Sequence, residues 1–74
     1  MTIDEFKKNI APHMNNGYVA MDKNGLYCYY NYKPALDCLT WVDFKEDYIK
    51  LTCFNIEPVE DWTKSLIEVG GKND

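Results

Sequence analysis

The chain has 74 residues, 46% of them hydrophobic and 15% aromatic, with a net charge of −4. That length allows one domain, and it buries only a modest share of its unfolded surface, so the aromatic content has to supply the core. All eight cations are lysine. Without arginine, the usual bidentate reader of phosphate and guanine, and with a sequence pI near 4.8, direct nucleic-acid binding is excluded as an expectation.

Residues 1–8 are polar and carry no apolar signal segment, and no apolar run approaches a membrane span. The expected location is the cytoplasm. Cys28, Cys38 and Cys53 are an odd number without close spacing, which reads as three small core residues in a reducing compartment rather than a disulfide framework.

At the N-terminus, Thr2 and Glu5 form a capping-box pattern, and Ile3, Phe6 and Ile10 then repeat at helical spacing. Pro12 should end or kink this helix near Ala11, with a further turn over 13–16 and Gly17 as its cap. Residues 18–22 and 26–32 read as strands. Asn24-Gly25 between them predicts a two-residue hairpin turn. That register sets Met21 opposite Cys28 and Val19 opposite Tyr30. Val19, Met21, Leu26, Cys28, Tyr30 and Tyr32 then share one face, and Tyr18, Ala20, Tyr27, Tyr29 and Asn31 the other.

Lys33-Pro34 ends the second strand. Residues 39–42 are expected to insert Trp41 as a short strand or turn, with Phe44 nearby. Residues 48–54 read as a strand alternating Ile49, Leu51 and Cys53 against Tyr48, Lys50, Thr52 and Phe54. Pro58 should open one helical turn over 59–62, and 65–69 reads as a last strand. Residues 1–69 form a single compact domain on this reading, and 70–74 a flexible tail. The fold class is α+β: an N-terminal helix packed on a small, mostly antiparallel sheet of three to five strands. The segments 26–37 and 51–61 also echo one another, aligning leucine, cysteine, asparagine, proline and aspartate, as an internal duplication would.

Catalytic machinery is sparse. His13 is the one histidine and Ser65 the one serine, and Ser65 has no nucleophile-elbow context. No phosphate-binding glycine loop or metal-ligand spacing occurs, and Asp43 with Asp47 or Glu60 with Asp61 reads as solvated surface. The expectation is a protein that is not an enzyme and has neither cofactor nor metal. The tyrosines carry the binding expectation. Four of the six lie between positions 27 and 32, on both faces of one hairpin, while a helix covers only one. Some of Tyr18, Tyr27, Tyr29 and Phe54 should therefore stay exposed or cover a second surface, and these four are the expected binding residues, with the three tyrosines on the far side of the hairpin.

The phrase Pro58-Val-Glu-Asp-Trp62-Thr-Lys-Ser-Leu-Ile-Glu, following an aromatic hairpin and a Lys-Pro turn, resembles small phage and prophage proteins of low-GC bacteria. The resemblance spans 17–69. It implies an early-expressed antagonist of host defence, acting in the host cytoplasm. The expected function is stoichiometric inhibition of a host protein by direct binding. One alternative is a sponge for a nucleotide second messenger, with Lys33 or Lys50 on phosphate. A second is acidic mimicry of nucleic acid, and a homo-oligomer is also compatible.

Overall fold

The computed structural model describes residues 1–38, 40–43 and 48–70. The expectations placed on Leu39, Phe44, Asp47 and the tail at 71–74 fall outside them. The fold is α+β, one N-terminal helix packed on a mostly antiparallel four-stranded sheet, with a separate two-stranded ribbon. No helix among the described residues is long and apolar enough to cross a membrane.

Helix α1 runs Ile3–Asn9. Its capping box forms as expected: the Glu5 amide donates to Thr2 Oγ1 at 3.2 Å, and the Thr2 amide donates to Glu5 Oε1 at 2.8 Å. Pro12 lies within a separate 3-10 turn, Ala11–His13. The sheet has the order β5-β2-β1-β6, built from β1 (Gly17–Met21), β2 (Tyr27–Tyr30), β5 (Tyr48–Lys50) and β6 (Ile67–Val69). Between β2 and β5, β3 (Ala35–Leu36) and β4 (Trp41–Val42) pair as the ribbon.

The hairpin exists, but its register differs from the expected one by a residue. Tyr18 pairs with Tyr30, Val19 with Tyr29, Ala20 with Cys28 and Met21 with Tyr27. The loop has three residues rather than two. The Gly25 amide donates to the Asp22 carbonyl and the Asp22 amide to the Leu26 carbonyl, both at 2.9 Å. Gly25 sits at φ 90°, the left-handed position that closes a type I turn with a glycine bulge. Because side chains alternate, a one-residue slip exchanges the faces of the partner strand. Tyr27 and Tyr29 thus join Val19 and Met21 on the helix side, and Cys28 and Tyr30 join Ala20 on the other.

Side-chain chemistry favours this register. On the helix side the Tyr27 hydroxyl donates to the Glu57 carbonyl at 3.1 Å, and the Tyr29 hydroxyl to the Asn16 carbonyl at 3.0 Å, so both phenols are satisfied while their rings are buried. Tyr29 lies over Gly17, where a Cβ would come within 2.6 Å of its Oη. Gly17 is therefore a strand residue needed for packing, not a helix cap. The main core gathers Phe6, Ala11, Val19, Met21, Tyr27, Tyr29, Leu51, Ile56 and Val69, and the Phe6 and Phe54 rings meet edge to face with centroids 5.8 Å apart. A second cluster, Ala20, Cys28, Tyr30 and Trp41, fills the opposite face. Both faces of the central strands are covered.

Further along, the strand expected over 48–54 stops at Lys50, although the Leu51 amide still donates to the Tyr27 carbonyl at 2.9 Å. The helical turn expected over 59–62 lies instead at Trp62–Lys64, where Asp61 caps it by accepting from the Thr63 amide at 3.1 Å and the Thr63 hydroxyl at 2.6 Å. The echoed segments do not fold alike: Cys28 is buried in β2, whereas Cys53 is exposed in a turn. All three cysteines are free, and Cys38 is also exposed, so only Cys28 is a core residue.

Candidate functional site

The four aromatic residues expected to form a contact face are not brought together. Tyr27 and Tyr29 are 3% and 7% exposed and belong to the core. Phe54 is half-buried against that same core. Tyr18, also half-buried, lies across the sheet from them, against the second cluster. Buried rings cannot supply a docking surface, so the expectation is corrected for Tyr27 and Tyr29. Its cause is the register, which turned the tyrosines inward.

Among the described residues the exposed large hydrophobics are Met1, Tyr32, Leu36, Tyr48 and Ile49, and the last two lie side by side on β5. Tyr48 and Ile49 are 47% and 60% exposed, and all three β5 residues face solvent. The strand is at the end of the sheet, and among the described residues nothing pairs with its outer side. Since Leu51 bonds inward to Tyr27, alternation directs the Ile49 peptide groups inward too. Those of Tyr48 and Lys50 point outward, with no strand partner among the described residues.

Each face of this edge adjoins a concavity. On the side away from α1, Tyr48 and Lys50 border a cleft of about 850 Å³ that also includes Cys28, Tyr30, Trp41 and Asp22. On the helix side, Ile49 and Leu51 border a groove of about 330 Å³ shared with His13, Met14, Asn15 and Tyr29. The cleft wall is fixed by Asp22, whose Oδ1 accepts from the Thr40 hydroxyl at 2.7 Å and the Trp41 amide at 3.0 Å. Trp41 in turn donates its ring N–H to the Trp62 carbonyl at 3.3 Å. The Tyr30 and Tyr48 rings meet with centroids 5.8 Å apart.

Burial sets the protonation of two side chains that line the cleft. Burial, reinforced by Asp22, pushes the Cys28 thiol up from its ordinary value, against weaker lowering by Tyr30 and Lys50. Burial also pushes the Tyr30 phenol up, with Cys28 and Asp22 adding to it. Both groups therefore stay protonated at neutral pH, and neither is an activated nucleophile. Ser65 is occupied with the backbone: its Oγ accepts from the Met21 amide at 2.8 Å and lies 2.7 Å from the Trp62 carbonyl. The described residues hold no group of histidine, cysteine and acidic side chains able to hold a metal.

No protein-family model, curated protein or solved structure matches this chain. The geometry has to speak for the site. Sequence reasoning found the strand at 48 but not its edge position, and so passed over Tyr48, Ile49 and Trp41. One signal was available: a short strand with a lysine among its apolar residues is an edge pattern.

Proposed function

We propose that this chain is a non-enzymatic binding protein that captures a partner protein by adding one of the partner's extended segments to β5. One observation carries this reading. A strand edge unpaired among the described residues, with outward peptide groups at Tyr48 and Lys50, has a cleft on one face and an apolar groove on the other. An added strand would bond through its backbone and drop alternate side chains into the two concavities, the division of labour seen when a peptide extends a sheet. Stoichiometric inhibition of a host protein, the role implied by the resemblance to phage proteins, is the form of binding we propose.

The test is selection from a displayed library of extended peptides. Peptides that bind should perturb the amide signals of Tyr48 to Leu51, and Ile49→Lys should weaken them at least about tenfold, as loss of a central contact does. Binders that ignore Ile49→Lys, or an empty selection, would refute strand addition.

The nucleotide-sponge reading has one observation in its favour: Lys50 lines the cleft together with Trp41 and Tyr48. Asp22 and Asp43 line it too and oppose a phosphate. Lys33 is not among the lining residues. A cyclic dinucleotide whose binding is lost in Lys50→Ala and falls steeply with salt would favour the sponge over the protein partner.

A further inference from the structure

We infer that the occupant of the β5 edge, when no other partner is present, is a second copy of this chain. The inference rests on the strand-addition reading only in its consequence, that a partner must displace the second copy.

The edge is complementary to itself. Outward peptide groups belong to Tyr48 and Lys50, while those of Ile49 point back toward β2, as the inward bond of Leu51 requires. Two antiparallel copies can exchange backbone hydrogen bonds only where outward groups meet outward groups. A twofold axis at Ile49 meets this condition, setting Tyr48 of each copy opposite Lys50 of the other, and each such pair exchanges both backbone bonds. An axis between residues would set an outward peptide against an inward one. An axis at Lys50 would set lysine against lysine, which is destabilising.

The side chains agree with the backbone. Tyr48 and Lys50 lie on the cleft face of the strand and Ile49 on the groove face. In the Ile49-centred pair, each Lys50 ammonium comes beside the Tyr48 ring of the other copy, a favourable cation–π placement. On the groove face the two Ile49 side chains, each 60% exposed in the single chain, cover one another. Three strand residues make a small interface, so the dimer is weak and depends on concentration. It joins the two sheets edge to edge and withdraws the free edge from solvent.

Sedimentation from about 10 μM to about 1 mM tests this, a range suited to weak association. The wild-type chain should shift from monomer toward dimer across it. Tyr48→Lys, which sets lysine against lysine, should remain monomeric, and so should Ile49→Lys. The double variant Tyr48→Lys with Lys50→Glu, which sets lysine against glutamate across the axis, should regain the dimer. These side chains are exposed, so each variant keeps its fold, checked by circular dichroism. As an independent readout, exchange of the wild-type Lys50 amide with solvent should slow as chain concentration rises. A wild-type monomer throughout, a dimer that survives Tyr48→Lys, a double variant that stays monomeric, or concentration-independent exchange at Lys50 would each overturn the proposal. A monomeric wild type whose selected peptides still require Ile49 would sink the self-pairing and leave strand addition standing.

Discussion

Replacing Gly17 by alanine tests the hairpin register through a single methyl group. In a strand, glycine to alanine normally stabilises by roughly 0.5–1 kcal/mol, because glycine has more backbone freedom to lose. Here the new Cβ would meet Tyr29 Oη at 2.6 Å and its Cε1 and Cζ at 2.7 Å. The ring cannot move aside freely: it is 7% exposed, and its hydroxyl is bonded to the Asn16 carbonyl. Overpacking of this kind costs about 1–3 kcal/mol, and loss of the hydroxyl's bond about 1 more. After the propensity gain, a net loss of about 1–3 kcal/mol remains. For a chain this size that lowers Tm by roughly 5–20 °C. The assay is thermal melting of a double-mutant cycle with Tyr29→Leu, which removes the three crowding atoms. In that background Gly17→Ala should be neutral or stabilising. A wild-type-like Tm for Gly17→Ala, or an equal loss in both backgrounds, would refute the placement of Tyr29 over Gly17 and the register with it.

Ser65→Ala should cost about 1–3 kcal/mol in urea unfolding, since it leaves the buried Met21 amide unpaired, and exchange of that amide should quicken. Gly25→Ala should destabilise by about 1–2 kcal/mol because of its left-handed φ; a stabilised variant would contradict the three-residue loop. Burial raises the phenol pKa of Tyr27 and Tyr30, so their stabilising contribution is full below pH about 10 and lost as pH rises through the raised values. Absorbance at alkaline pH should show these two phenols ionising above the ordinary tyrosine value of about 10, and their ionisation at that value in a folded chain would contradict their burial. Cys38 and Cys53 should react with a thiol reagent in the native state, and Cys28 only on unfolding. Prompt reaction of all three would place Cys28 elsewhere.

The helix and its cap were readable because both depend on neighbours in sequence: Thr2 and Glu5 are three positions apart. The presence of the hairpin was readable from Asn24-Gly25 for the same reason. Its register was not, because one glycine at positive φ serves both two- and three-residue turns. The choice rests on partners far along the chain, the Glu57 carbonyl for Tyr27 and Asp22's bonds to Thr40 and Trp41. That single residue of ambiguity carried the expected contact face into the core. The edge position of β5 was hidden for a related reason: the order β5-β2-β1-β6 is a long-range property. Alternation along 48–50 was legible, but not which side lacked a neighbour.

The phenols of Tyr27 and Tyr29 anchor two loops through main-chain oxygens, at Glu57 and at Asn15 and Asn16. A main-chain oxygen is supplied by every amino acid. The attachment of these loops therefore places no demand on the side chain at Glu57 or Asn15, both of which are exposed. Diversity introduced at those two positions would leave the tyrosine moorings in place, which makes them natural places to vary this small scaffold without repacking its interior.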